Sequence, residues 1–156
     1  MAEIDSSIEF CGDLMEFVTA YFNVSWSRPE ETRGRPLPFI RFTRNHAKFI
    51  QSYLDLKAEF WEMLEDSPFL NLNEASFLRF ALLIKEDTKC FAYSTCNFLL
   101  FATFISSVAA LATKRGFFNA PEYAMVVIYD AISSFHLRRE ISFSNSVKDT
   151  TTRRIL

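Results

Sequence analysis

The chain is poor in the residues that make tight turns, since only 3 of its 156 residues are glycine and 5 are proline. Hairpins with two-residue loops need glycine at positive φ, so this scarcity argues against a β-sandwich or a β-barrel. No glycine lies in a GxGxxG or GxxxxGK[ST] sequence, which excludes the usual phosphate-binding loops. The composition therefore favours a helical protein.

Cysteine, histidine and net charge are equally limited. Three cysteines and two histidines without metal-type spacing predict reduced thiols, no metal site and no bound cofactor. His46 and His136 have no catalytic motif around them, and we expect His46 at the surface and His136 at a helix end. A net charge of −2 argues against nucleic acid as a partner. An enzyme is therefore not expected.

Apolar residues, by contrast, make up 49% of the chain, and 18 of them are phenylalanine, so a substantial core needs no disulfide bonds. Residues 90–113 carry no formal charge and are long enough to span a membrane. Serine, threonine and asparagine residues within this run favour instead the central helix of an all-α domain, with Phe104 in its core.

The spacing of apolar residues predicts a bundle of six to eight helices around that central helix. The main predicted helices cover about 6–25, 45–66, 74–86, 90–113 and 119–138. Gly116, directly after Lys114 and Arg115, predicts the end of the central helix. We expect one domain over residues 1–144 and a polar tail over 145–156, without a signal peptide or a membrane anchor.

A short pattern within the second predicted helix combines a leucine, a small residue and an acid. Leu54 is followed four positions later by Ala58 and then by Glu59, and Ile50 lies one turn upstream. This segment resembles the death motif (the third homology motif) of the B-cell lymphoma-2 (Bcl) family of apoptosis regulators. In that motif the leucine and the small residue let an amphipathic helix seat closely in an apolar groove.

Two further stretches are similar to the same family and occur in the family's order. Residues 97–110 open with an asparagine and an aromatic residue and carry small residues two turns on, like the first homology motif. Residues 22–27, which end in Ser-Trp-Ser, are similar to the end of the family's first helix. The resemblance covers roughly residues 4–135 and implies a Bcl-like helical bundle.

The chain departs from the family pattern at several positions. Leu99 and Leu100 stand where the family has glycine and an arginine that pairs with an aspartate of the bound ligand. Lys57 occupies a normally apolar motif position, and Glu59 replaces the usual aspartate. The second homology motif is not recognisable after Phe135. This eroded pattern is most like that of a viral homologue.

The resemblance implies a hydrophobic groove between the death-motif-like helix and the central helix. Its implied ligand is the amphipathic death-motif helix of a host pro-apoptotic protein, and its implied function is inhibition of apoptosis. The implied location is the cytoplasm of the host cell, with peripheral attachment to mitochondria as an alternative. The implied groove residues are Trp61, Leu64, Phe69, Leu72, Phe80, Ile84, Asn97, Leu100 and Thr103.

Two alternatives keep the helical sequence and change the function. A viral Bcl-fold protein can act on innate immune signalling through an outer face, and leucines at 99 and 100 are compatible with a filled groove. A small helical membrane protein would use residues 90–113 as its span. An open apolar groove also predicts a homodimer, because one self-complementary surface is enough to cover it.

Overall fold

The computed structural model of the chain describes residues 2–28, 42–88 and 95–134, and every regular element in these ranges is helical. The helices are α1 (Ala2–Tyr21), α2 (Arg44–Leu56), α3 (Ala58–Glu65), α4 (Glu74–Thr88), α5 (Thr95–Lys114) and α6 (Ala120–Ser134), with a 3₁₀ turn at Pro68–Leu70. The predicted all-α class is confirmed for these residues. His136, the tail 145–156 and most of the predicted loop before α2 lie outside them.

Helix α5 lies at the centre of the bundle, and α1, α2, α4 and α6 pack around it. Residues 108–112 of α5 are fully buried, and Phe98 contacts Phe10 of α1 with 6.1 Å between ring centroids. Among the described helices, one stretch, Cys96–Lys114, is long and apolar enough to cross a membrane, and 83% of its apolar window is buried inside the molecule. This burial confirms the prediction of a central apolar helix.

Two helices end in the same hydrogen-bonded motif around a residue of positive φ. After α5, Gly116 has φ 108°, and the Phe117 N–H donates to the carbonyl of Ala112 at 3.1 Å. After α1, Asn23 has φ 61°, and the Val24 N–H donates to the carbonyl of Thr19 at 2.8 Å. Both are Schellman motifs, which satisfy the last helical carbonyls. Helix α1 therefore ends at Tyr21, earlier than the predicted end near residue 25.

The single helix predicted over residues 45–66 is wrong, because the structure breaks it at Lys57 into α2 and α3. In an unbroken helix the carbonyl of Leu54 would accept a hydrogen bond from the N–H four residues later. Instead the indole Nε1 of Trp61 donates to this carbonyl at 3.1 Å, and the Trp61 side chain is buried. The tryptophan thus stabilises the break by replacing a backbone donor.

The prediction that His46 lies at the surface is also wrong, because its side chain is only 1% exposed. Its ring stacks on Phe42 and meets Phe10 of α1 edge-on at 5.3 Å between centroids. The backbone N–H of Thr43 donates to Nδ1 of His46 at 2.9 Å, and the hydroxyl of Thr43 accepts from the His46 N–H. His46 therefore closes a capping box at the start of α2. Burial lowers its pKa to about 4.

The chain after α1 is fastened to that helix by a buried arginine. The guanidinium of Arg28 binds Glu9 at 3.1 Å and Glu16 at 2.9 Å, and it also pairs with Asp13. Hydrogen bonding to Glu16 raises the pKa of Arg28. Gly12 allows this approach, since a Cβ at that position would lie 2.9 Å from Nη1 of Arg28. Arg28 is thus a structural ion-pair residue.

Candidate ligand-binding surface

Aromatic rings from three helices and the 3₁₀ turn meet above the middle of α5. The ring of Phe104 on α5 lies 6.3 Å from Phe60 and 6.0 Å from Trp61, both on α3, between centroids. The ring of Phe80 on α4 lies 5.9 Å from Phe104, and Phe69 of the 3₁₀ turn lies 5.1 Å from Phe80. Phe104 is therefore in ring contact with both α3 and α4.

Each flank continues with apolar side chains at helical spacing. Residues three and four positions apart lie on one helix face, so Met63 and Leu64 extend the flank of Phe60 on α3. Leu83 and Ile84 extend the flank of Phe80 on α4 in the same way. Leu100 lies one turn before Phe104 on α5. We call this set the aromatic surface; it comprises Phe60, Met63, Leu64, Phe69, Phe80, Leu83, Ile84, Leu100 and Phe104.

Several of these apolar side chains are open to solvent. Met63 is 65% exposed, Leu83 is 63% exposed and Phe69 is 42% exposed, whereas the other members of the surface are half-buried. Single exposed apolar residues are common, but a continuous set is typical of a binding surface. The aromatic surface is therefore the candidate site.

Two sets of contacts hold α3 in place beside this surface. At its start, Trp61 is bonded to Leu54 as described above. At its end, Nη1 of Arg115 donates to the carbonyls of Glu65 at 2.9 Å and Ser67 at 3.1 Å, while Nη2 donates to Oδ1 of Asn71 at 2.7 Å. Lys114 pairs with Glu65 at 3.2 Å. The C-terminal turn of α5 thus positions the end of α3 and the 3₁₀ turn that carries Phe69.

The structure divides the groove residues that the resemblance implied into three groups. Phe69 and Phe80 belong to the aromatic surface by ring contact, and Leu64, Ile84 and Leu100 belong to it by their helical spacing from Phe60, Phe80 and Phe104. Trp61 and Thr103 are buried, at 3% and 1% exposure, so neither presents a wall to a ligand. Leu72 and Asn97 are half-buried, on the segment before α4 and in the first turns of α5 respectively.

The death-motif-like residues do not share one helix face. Ile50 and Leu54 are fully buried on α2 and belong to the core, whereas Ala58 and Glu59 are exposed at the start of α3. The break at Lys57 separates the two pairs. The motif's Leu-to-Ala spacing therefore does not build one continuous apolar stripe here.

Four residues of the surface were missed as ligand contacts by the sequence reasoning: Phe60, Met63, Leu83 and Phe104. Phe104 was expected in the core, and it is instead half-buried with its ring at the centre of the aromatic contacts. The signal that could have found Met63 and Leu83 is the three-residue spacing from Phe60 and Phe80, respectively.

The described residues offer little for chemistry. No group of three or more His, Cys, Asp or Glu side chains among them could hold a metal ion. The thiols of Cys11 and Cys96 are buried, and burial raises the pKa of Cys11 far above its ordinary value. A buried thiol of raised pKa is a poor nucleophile.

None of the family models, curated proteins and solved structures that were compared with the chain matches it.

Proposed function

We propose that this protein binds the amphipathic death-motif helix of a pro-apoptotic protein on the aromatic surface and thereby inhibits apoptosis, in the manner of a viral Bcl-family protein. The observation that carries the proposal is the row of solvent-open apolar side chains on α3, the 3₁₀ turn and α4 around Phe104. The resemblance in sequence supplies the identity of the ligand. The cytoplasm of a host cell is the proposed location.

The apolar character of such a ligand suits this surface. An amphipathic helix presents apolar anchors at i, i+3, i+4 and i+7, and these need two apolar walls and an apolar floor. The flanks of α3 and α4 supply the walls, and Leu100 and Phe104 supply the floor. Burial of each ligand anchor contributes roughly 1.5–3 kcal/mol, from which the cost of ordering the ligand is subtracted.

The absence of an arginine at position 100 affects how such a ligand is held. Leu100 offers no charge to the ligand's aspartate, and Lys85 of α4 is bonded to Asp130 of α6 at 2.6 Å. We therefore expect replacement of the ligand aspartate by alanine to weaken binding less than about tenfold, that is by less than about 1.4 kcal/mol.

A peptide titration with a matched pair of variants tests the proposal. Leu83 and Val126 are both 63% exposed, but Val126 lies on α6, which contributes nothing to the aromatic surface. We expect death-motif peptides to bind the wild-type protein, L83S to weaken binding, and V126S to leave it unchanged. Fluorescence anisotropy measures the affinities, and circular dichroism checks that both variants stay folded.

Two outcomes would contradict the proposal. If no peptide of the death-motif panel binds at concentrations up to ~1 mM, where binding free energies fall to about 4 kcal/mol, the aromatic surface is not a helix-binding site. If peptides bind and only V126S weakens them, the ligand occupies an outer face, as the alternative of a signalling modulator requires.

A further inference from the structure

The connection between α3 and α4 contains a serine that is followed by proline. Of the five prolines in the chain, Pro68 alone follows a serine or a threonine. Ser67 has φ −81° and ψ 141°, the extended conformation to which a following proline restricts a residue. Its neighbours Asp66, Pro68 and Phe69 are exposed, and Ser67 itself is half-buried. A Ser-Pro sequence of extended backbone in a surface connection is what proline-directed kinases recognise.

An arginine from another helix lies directly against Ser67. Nη1 of Arg115, which follows the last residue of α5, donates to the carbonyl of Ser67 at 3.1 Å. The other bonds of Arg115 are also to neutral groups, the carbonyl of Glu65 and Oδ1 of Asn71. None of the ion pairs among the described residues involves Arg115, and its side chain is exposed. A full positive charge therefore lies beside Ser67 without a carboxylate partner in the described part of the chain.

The other charged groups near Ser67 are two carboxylates and a lysine. Glu65 pairs with Lys114 at 3.2 Å, and Asp66 is exposed and adjacent to Ser67 in the chain. A phosphate on Ser67 would carry a charge of about −1.5 to −2, which Asp66 repels and Arg115 attracts. A guanidinium binds phosphate through two parallel hydrogen bonds that are stronger than its bonds to neutral carbonyls. Arg115 is therefore the side chain placed to hold such a phosphate.

We propose that Ser67 is a phosphorylation site and that the guanidinium of Arg115 binds its phosphate. In this reaction Oγ of Ser67 forms a bond to the γ-phosphorus of a nucleoside triphosphate and the bond from that phosphorus to the β-phosphate oxygen breaks. The hydroxyl proton passes to the base of the kinase, and the nucleoside diphosphate leaves. The unmodified hydroxyl accepts from the Phe69 N–H at 3.0 Å, so the modification acts on the 3₁₀ turn that carries Phe69. The site does not depend on the proposed function.

The first test treats the full chain with a panel of purified proline-directed kinases and magnesium ATP, and locates the phosphate by mass spectrometry. We expect phosphate on Ser67 of the wild-type chain, none at that position in S67A, and slower incorporation in P68A. The matched control is S76A, because Ser76 is half-buried near the same connection but is followed by phenylalanine. S76A should be phosphorylated at Ser67 as fast as the wild-type chain. Circular dichroism checks that each variant stays folded.

The second test measures whether Arg115 binds the phosphate, in chains made with phosphoserine at position 67. Titration by ³¹P NMR gives the second pKa of this phosphate, which is about 6 in the absence of neighbouring charges. Arg115 should lower this pKa to about 5–5.5, and in R115Q it should return to about 6 or above, because Asp66 remains. R115Q should also be phosphorylated faster by the kinases, because it lacks the hydrogen bonds to the carbonyls of Glu65 and Ser67 that hold the connection in place.

The control for net charge is K48Q, which also removes one exposed positive charge. Lys48 lies on α2, two residues after His46, whose ring meets Phe10 of α1. Phe10 in turn contacts Phe98, which is 17 residues before Arg115 and therefore about 25 Å away along the axis of α5. K48Q should leave the pKa of the phosphate unchanged, because charges at that separation are screened.

Three outcomes would overturn the proposal. If no kinase of the panel modifies Ser67 in the wild-type chain, or only R115Q is modified, the folded protein shields the hydroxyl and Ser67 is not a phosphorylation site. If the phosphate has the same pKa with and without Arg115, the guanidinium does not bind it. If K48Q raises that pKa as much as R115Q does, the attraction is a property of net charge. None of these measurements uses a ligand of the aromatic surface, so their failure leaves the proposed function standing.

Discussion

At the scale of single residues, the two tryptophans show how burial and hydrogen bonding combine. Trp61 Nε1 donates to the carbonyl of Leu54, whereas Trp26 Nε1 is buried with no acceptor among the described residues. Burial of an indole N–H without a partner costs free energy that a hydrogen bond recovers. The same substitution should therefore have different effects at the two positions.

We expect Trp61→Phe to lower the free energy of unfolding by about 1–3 kcal/mol, because the carbonyl of Leu54 loses its donor where the backbone is broken. Trp26→Phe removes an unpaired donor and should change stability by less than about 0.5 kcal/mol, or raise it. Urea denaturation of both variants measures the difference. Equal losses in the two variants would show that ring volume, not the hydrogen bond, stabilises the break.

His46 makes stability depend on pH. Its pKa is about 4 in the folded protein because burial disfavours the charged ring, against an ordinary value of 6.5. Between pH 6.5 and 4 the unfolded chain therefore binds a proton at His46 that the folded chain does not bind. The free energy of unfolding is thus unaffected by His46 above pH 6.5 and decreases as the pH falls from 6.5 toward 4. The loss amounts to about 3 kcal/mol. Urea denaturation at several pH values measures this decrease, and the His46→Gln variant should not show it between pH 6.5 and 4. If the variant loses as much stability as the wild-type protein over this range, the decrease is caused by carboxylates.

At the scale of helices, the local signals in the sequence were reliable where they depended on neighbouring residues. Gly116 ends α5 as predicted, and Asn73, directly before α4, caps that helix by accepting from the Ser76 N–H at 3.0 Å. The break at Lys57 and the burial of His46 were not predictable from local spacing. They depend on Trp61 reaching back seven residues and on Phe10 of a different helix.

The two Schellman motifs give a prediction about helix ends. Gly116→Ala should cost about 1 kcal/mol, because φ of 108° is unfavourable for any residue with a Cβ, although no atom lies within 4 Å of that position. Asn23→Gly places the freest residue at φ 61° and should change stability by no more than about 0.5 kcal/mol. Thermal unfolding followed by circular dichroism measures both. A neutral Gly116→Ala would mean that the end of α5 relaxes without strain.

At the scale of the whole molecule, the apolar periodicity of the sequence correctly predicted the all-α class and the central helix. It predicted only some of the residues that form the candidate site. Sequence spacing identifies which residues share a face of one helix. It does not show which face meets another helix, so Thr103 was placed on a groove wall although it is buried in the core. Phe60 and Met63 were missed for the same reason, since their exposure depends on the orientation that the break gives to α3.

The exposure of the aromatic surface also predicts how copies of the chain interact. A surface with Met63, Phe69 and Leu83 open to water favours a symmetric homodimer when no ligand is present. A ligand that binds the aromatic surface should compete with this dimer, because both would cover the same side chains.

Light scattering over a range of protein concentrations tests the homodimer. We expect a mass that rises toward the dimer with concentration, and that returns to the monomer when a saturating death-motif peptide competes for the same surface. L83S should weaken both dimer and peptide binding, whereas V126S should affect neither, because Val126 lies on α6, outside the aromatic surface. A chain that is monomeric under all these conditions would exclude self-association. A dimer that persists when peptide is bound would place the interface elsewhere, with Val126 and the other exposed apolar residues outside the aromatic surface as the next positions to substitute.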